Sequence, residues 1–290
     1  MRRIVVTGAN KGIGYAIAER ILEEADDTFV FLGSRDRGRG DEAAQKIIAG
    51  GAGREARLQV VELDVSSDAS VEAAAAVISE ACGDDGLYGI VNNAGIGIGI
   101  DDLAAVLSVN VRGIQRVCSA LIPRLRDGGR IVNVTSAAGP MFVAKCGAEQ
   151  QRFFTDQSVT WAQIDALMNE SVAITGDAAA FAARGLSDGT PYGLSKACAN
   201  ALTLDLAREN PQFVVNACTP GFIATDLTQS YRRGRSAEEA GMKTPREGAA
   251  SALFLLFGEP EGSGHYYGSD AVRSPLHRYR SPGDPPYTGD

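Results

Sequence analysis

Residues 4–14 read Ile4-Val5-Val6-Thr7-Gly8-Ala9-Asn10-Lys11-Gly12-Ile13-Gly14. A short apolar run ends at Thr7, and glycines fall at 8, 12 and 14. Ile13, Ile17, Ile21 and Leu22 then follow at helical spacing. The stretch predicts a buried strand, a sharp glycine turn and a helix. Such a turn lets the backbone approach a pyrophosphate, and the helix N-terminus offers it unpaired N–H groups and the positive end of the helix dipole. The spacing G-x-x-x-G-x-G differs from the ordinary G-x-G-x-x-G fingerprint. No Gly-Lys-Ser/Thr follows, so it is not a nucleoside-triphosphate loop either. Placed between a first strand and a first helix, it points to a dinucleotide site.

Outward from this stretch, strands and helices alternate. Strands are expected at 29–32, 58–63, 87–91 and 130–135. Helices are expected at 41–48, 67–81 (with Ser67 as N-cap) and 103–125. This rhythm predicts an α/β fold, a doubly wound parallel sheet with helices on both faces and right-handed crossovers. It breaks after Ser136. Residues 137–191 are far longer than the usual connection of about 2–6 residues, so they read as a helical insertion. Thr160 and Gln163 fit a capping box, and Trp161, Ile164, Leu167, Met168 and Val172 form an apolar stripe that packs on the main body. A short helix is expected at 147–154. A helix at 192–208, a strand at 213–218, a loop at 221–241, a helix at 245–257 and a last strand at 265–267 complete the pattern. The expected organisation is one domain over 1–268, with an irregular tail over 269–290 rich in Pro, Arg and Gly.

The 290 residues are 44% hydrophobic and 22% charged, with a formal net charge of −8. That composition excludes a disordered chain, a collagen-like repeat and a disulfide scaffold. The acidic balance makes nucleic acid a poor partner, and no apolar run reaches the roughly 18 residues of a membrane span. Five cysteines form no C-x-x-C pair, and with two histidines no metal-ligand cluster can be drawn. The thiols read as reduced, and the first strand begins at once, so no leader peptide and a cytosolic location are expected.

Two further features carry chemistry. An NAD site usually places an acid about 20 residues after the glycine turn, to hold the ribose 2′-hydroxyl. Here that position is Ser34, followed by Arg35, and Lys11 sits in the turn itself. Two cations favour a 2′-phosphate, hence NADP over NAD. The plain alternative is a pair of solvated surface charges, and Asp36 blunts the preference. The second feature is Tyr192-Gly193-Leu194-Ser195-Lys196, in which positions 192 and 196 share one helical face. A nearby ammonium favours the phenolate and turns a tyrosine into a candidate acid–base group. Ser136 falls at the C-terminal end of a predicted parallel strand, where open α/β sheets bind ligands.

Together these pieces resemble the short-chain dehydrogenase/reductase superfamily over residues 3 to 268. The carriers are T-G-A-N-K-G-I-G at 7–14, Asp64-Val65, N-N-A-G at 92–95, Asn110, Ser136, Y-G-L-S-K at 192–196 and P-G-F-I-A-T at 220–225. The long insertion before the tyrosine, the lysine in the glycine turn and Ser34-Arg35-Asp36 resemble its monomeric, NADPH-dependent carbonyl reductase subgroup.

The resemblance implies a Rossmann fold and a set of roles. Tyr192 would protonate the carbonyl oxygen, Ser136 would hydrogen-bond it, and Lys196 would bind the nicotinamide ribose and lower the tyrosine pKa. Asn110 would hold a water in a relay toward Lys196. The NADP(H) contacts would be Gly8, Asn10, Lys11, Gly12, Ile13, Gly14, Arg35, Asp64, Val65, Asn92, Ala94, Gly95, Tyr192, Lys196, Pro220, Gly221, Ile223 and Thr225. Asp64 would meet the adenine, and Asn92 would support the central strand and the ribose region. In such relatives the insertion covers a surface that others use to dimerise, which implies a monomer.

Three readings are open at this point. One is NADPH-dependent reduction of a small hydrophobic ketone, aldehyde or quinone, in a pocket walled near 140–146 and 222–240 by Met141, Phe142, Phe222 and Ile223. Trp161 belongs either to that wall or to the core. Another is an NADP-dependent dehydrogenase of a terpenoid, alkaloid or steroid alcohol. The third is a non-catalytic NADP-binding sensor, which predicts a degraded Ser-Tyr-Lys set. All of Asn110, Ser136, Tyr192 and Lys196 are present, so it ranks last.

Overall fold

The computed structural model describes residues 1–289. Strand β1 (Arg2–Val6) is buried at its last three residues, because the Ile-Val-Val run faces helices on both sides. Helix α1 (Gly12–Glu24) follows and buries Ile17, Ile21 and Leu22. Then come β2 (Thr28–Ser34), α2 (Arg37–Ala49), β3 (Leu58–Glu62), α3 (Asp68–Cys82) and β4 (Leu87–Asn92). Asp36 caps α2 and Ser67 caps α3, each side chain accepting from a backbone N–H three residues on.

The predicted single helix at 103–125 is instead three pieces. Helix α4 (Leu103–Leu107) runs into a π-helical turn at Ser108–Arg112 and then α5 (Gly113–Leu121), with a 3-10 turn at Ile122–Arg124. The widened turn coincides with Asn110, a buried polar residue whose side chain is held by partners outside the helix. Strand β5 (Leu125–Val134) begins earlier than expected, with a register shift against β4 between Leu87 and Gly89.

The insertion forms α6 (Ala138–Val143), α7 (Ala148–Thr155), α8 (Trp161–Ala173) and α9 (Ala178–Ala183). Thr160 and Gln163 make the expected capping box. These helices lie on α10 (Pro191–Glu209), and Phe142, Phe154, Ile164, Met168 and Phe181 join its buried residues in one core. Contact between α6 and α10 is close because Gly139 has no side chain. A Cβ there would stand 2.9–3.0 Å from Asn200 Nδ2 and the Lys196 backbone.

Strand β6 (Val214–Cys218) is followed by a 3-10 turn at Asp226–Arg232, α11 (Pro245–Gly248), α12 (Ala250–Phe257), β7 (His265–Tyr267) and β8 (Arg273–Ser274). The expected helix at 245–257 thus divides at Ala249. The sheet order is β3-β2-β1-β4-β5-β6-β7-β8. All pairings are parallel except β7 with β8. This is the doubly wound α/β fold expected from the sequence. Strand β8 is a correction, because the segment read as an irregular tail adds an antiparallel edge strand. No helix among the described residues is long and apolar enough to cross a membrane.

Candidate active site

The C-terminal ends of β1, β4, β5 and β6 converge on one side of the sheet. The glycine turn at the end of β1 is seated by Thr7, whose Oγ1 accepts from the backbone N–H of both Asn93 and Ala94 at 3.0 Å. Asn93 Nδ2 donates back to the carbonyls of Thr7 and Gly8. Gly8 and Gly12 have positive φ, and a Cβ on Gly14 would stand 2.3 Å from Asn93 Nδ2 and 2.5 Å from the Gly8 carbonyl. Only glycine fits these positions. Asn10 lies half-buried in the same turn.

The start of α1 differs from that of α2, α3 and α8. Its N-cap is Lys11, whose side chain makes no capping bond, whereas Asp36, Ser67 and Thr160 each cap theirs. The first N–H groups of a 13-residue helix are therefore left to an outside acceptor at the positive end of the dipole. That donor set fits a pyrophosphate.

At the second strand end, Arg35 is exposed and close enough to Asp64 for its charge to act there. The Asp64 carboxyl is held below the usual carboxylate range, first by the Ser66 hydroxyl at 2.6 Å and also by Arg35. Lys11 is placed differently from the expectation: its Nζ meets Asp226 Oδ2 at 2.6 Å.

Ser136, Tyr192, Ile13, Pro220, Gly221, Ile223 and Thr225 line one cavity of about 690 Å³. The expectation that Lys196 lowers the Tyr192 pKa is corrected: burial pushes the phenol above its ordinary value, and the interaction that opposes the rise is a hydrogen bond from Ser136. Lys196 lies just behind, 5% exposed, with Nζ 5.7 Å from the Tyr192 ring centre and donating to the Val134 carbonyl at 3.2 Å. Burial lowers the Lys196 ammonium to about 8. Gly95 bridges Lys196 and Asn110, since a Cβ there would stand 3.3 Å from Asn110 Oδ1 and 3.6 Å from Lys196 Nζ.

Three expected contact residues have partners of their own. The Asn110 side chain bonds within the protein: Oδ1 accepts from Ile96 N, and Nδ2 donates to Ile96 O and Ser195 Oγ. Asn92 Nδ2 donates to Asn133 Oδ1 at 2.9 Å and lies against Cys118 Sγ, so Asn92 ties β4 to β5 and supports the central strand as expected. The Val65 side chain packs on Gly113, and its carbonyl accepts from Arg116, so the side chain belongs to the core.

Met141, Phe142, Phe222 and Ile223 line the cavity as expected, while Trp161 packs on the hydrophobic core. Sequence reasoning missed Thr7 and Asn93 as the fasteners of the glycine turn, although both stand in motifs that it singled out. It also missed Tyr231, Tyr266, Tyr279 and Arg280 in the cavity wall. The last two lie in the tail, where no pattern marks them.

A family model described as short chain dehydrogenase matches residues 2–148. The mouse protein carbonyl reductase (NADPH) 1 is 30% identical over 273 residues, which cover 90% of this chain and 92% of that one. The human protein of the same name is 30% identical over 278 residues, again covering 90% of this chain and 92% of its own. Among solved structures, salutaridine reductase from Papaver somniferum aligns with a TM-score of 0.77 at 26% identity, over 92% of this chain and 99% of that one. Menthone neomenthol reductase from Mentha piperita gives 0.74 at 25%, over 92% and 98%.

Proposed function

The chain belongs to the short-chain dehydrogenase family, and from that premise we propose that it reduces hydrophobic ketones, aldehydes or quinones with NADPH, Tyr192 donating the proton. It is a carbonyl reductase-like, NADP-dependent oxidoreductase. The observation that carries the reading is the pairing of Ser136 and Tyr192 on the wall of an apolar-rimmed cavity, beside the uncapped start of α1.

The residues present fit the cofactor. The glycine turn and the first N–H groups of α1 would hold the pyrophosphate. Arg35 and Lys11 would face the 2′-phosphate, and Asp64 the adenine. Pro220, Gly221, Ile223 and Thr225 would border the nicotinamide, with Ala94 and Gly95 beneath the ribose. When bound, the reduced nicotinamide supplies the hydride.

The chain itself orients the carbonyl and moves the proton. Ser136 and Tyr192 hold the carbonyl oxygen between two hydroxyls. The raised pKa keeps the phenol protonated at neutral pH, which suits donation in the reducing direction. The Lys196 ammonium, 5.7 Å from the ring centre, would stabilise the phenolate left behind, and Asn110 would hold the water that returns a proton.

The insertion covers the face of α10, which supports a monomer, tested by light scattering on a sizing column. All five thiols are free and buried, which suits a reducing compartment, the cytosol. The deciding experiment follows NADPH absorbance over a panel of quinones, aromatic aldehydes and ketones, with NADH alongside. Turnover with NADPH is expected. NADPH binding without turnover on any of them would overturn the reading in favour of the sensor.

A further inference from the structure

Of the seven large hydrophobic side chains exposed among the described residues, five rim the active-site cavity: Ile100, Met141, Phe222, Tyr231 and Tyr279. They come from four separate parts of the chain, so their gathering at one mouth is a property of the fold. Tyr279 belongs to the C-terminal segment, and it is 48% exposed.

That segment is held in place by one buried guanidinium. Arg280 is 8% exposed, and its Nε donates to Ser274 Oγ at 2.9 Å. Nη1 donates to the Ser281 and Asp284 carbonyls, and Nη2 pairs with Asp270. Asp270 Oδ2 also accepts from Gly283 N. Every one of these partners lies within residues 270–284. A buried charge is costly unless fully paired, and Arg280 is paired only with the segment's own groups. Its arrangement therefore fixes the shape of the segment at the cavity, which Ser269, Ser274, Tyr279, Arg280 and Pro282 help to line.

We propose that residues 269–284 form a specificity-determining wall of the active site, where Tyr279 holds the far ring of a carbonyl substrate whose apolar body extends beyond the cavity mouth. Ser136, Tyr192 and Tyr279 line the same cavity, so a ligand long enough to fill it reaches from the reacting hydroxyls to the rim. A half-exposed aromatic ring at such a mouth gains most by covering another ring. The inference rests on the carbonyl-reductase reading of this site.

The test compares benzaldehyde with 4-phenylbenzaldehyde, which carry the same reacting group on one ring or on two. The proteins are the full chain, Tyr279→Ala, Tyr279→Phe and Asp270→Asn, each saturated with NADPH. Tyr279→Ala is expected to raise KM for the two-ring aldehyde by about tenfold and to leave the one-ring aldehyde within about twofold. Tyr279→Phe restores the preference, because it keeps the ring. Asp270→Asn weakens it in the same direction as Tyr279→Ala, with NADPH affinity unchanged.

Equal loss on both aldehydes, or loss on neither, overturns the wall. If the wild-type chain reduces neither aldehyde, that outcome counts against aldehydes as substrates and leaves the wall to be judged by binding. Calorimetric binding of 4-phenylbenzyl alcohol to the NADP⁺ complex then decides the wall. Weakening by about tenfold in Tyr279→Ala supports it, and unchanged or absent binding overturns it.

Discussion

Lys11 Nζ and Asp226 Oδ2 stand 2.6 Å apart, joining the glycine turn to the loop after β6 across 215 positions of sequence. Both side chains are well exposed, at 63% and 75%. The pair occupies the cation that the 2′-phosphate would use, so ligand and carboxylate compete for one ammonium. An exposed pair of this kind is worth about 0.2–1 kcal/mol. Asp226→Asn is therefore expected to tighten NADPH binding by up to about fivefold and to leave NADH unchanged. Lys11→Met with Arg35→Gln should weaken NADPH far more than NADH. Fluorescence titration of both cofactors reads both effects, and an unchanged NADPH-to-NADH ratio in the double variant removes the 2′-phosphate contact from the account.

Tyr192→Phe keeps the ring that lines the cavity and removes the proton. NADPH affinity should stay within about twofold, while turnover falls by about 10²–10⁴, the usual range for loss of a positioned acid. Steady-state rates beside a binding titration separate the two, and full activity in the variant refutes the acid assignment.

The pH dependence follows from two opposite shifts. In the proposed mechanism, reduction needs a protonated phenol with an ammonium beside it. Tyr192 lies above its ordinary value and so stays protonated as pH rises through 8. Lys196, lowered by burial to about 8, loses its charge in that interval. The kcat/KM for the carbonyl should be level below about pH 7 and decline above about pH 8. A profile that stays level to pH 10 would assign control to Tyr192 alone.

Thr7 accepts two backbone N–H groups from β4's end with one hydroxyl. Thr7→Val keeps the shape and takes that acceptor from both amides; Asn93 N keeps the Val91 carbonyl, and the Ala94 amide left without it costs about 1–3 kcal/mol. Tm should fall by several degrees. NADPH affinity should fall with it, because the turn loses its seat. Thr7→Ser keeps the oxygen and should restore both, as read by thermal melts and cofactor titration.

Much of this molecule was legible in its sequence. The apolar run ending at Thr7, the glycines at 8, 12 and 14, and the helical stripe behind them specify a strand, turn and helix through local periodicity. Tyr192 and Lys196 four residues apart must share a face, whatever surrounds them. Ser67 and Thr160 announced their caps, and both are made. Element ends were harder to read. The π-helical turn around Asn110 interrupts an apolar pattern that by itself looks continuous, because the turn's reason is a partner, Ser195, from another helix.

What sequence alone determined is therefore whatever depends on near neighbours: the alternation of strands and helices, the glycine turn, and the family motifs. Tertiary structure decided which side chains those elements present to one another. Of the two adjacent asparagines, β-strand alternation sends Asn92 into the core toward Asn133, and Asn93 turns to the glycine loop. Asp226 reaches Lys11 because parallel strands bring their C-terminal ends together at one edge of the sheet, and Tyr279 reaches the mouth of the cavity because the chain turns back through antiparallel β8 and is held there by Arg280. Contacts closed over such separations leave no periodic signal, since the partners share an end of the sheet and not a stretch of chain.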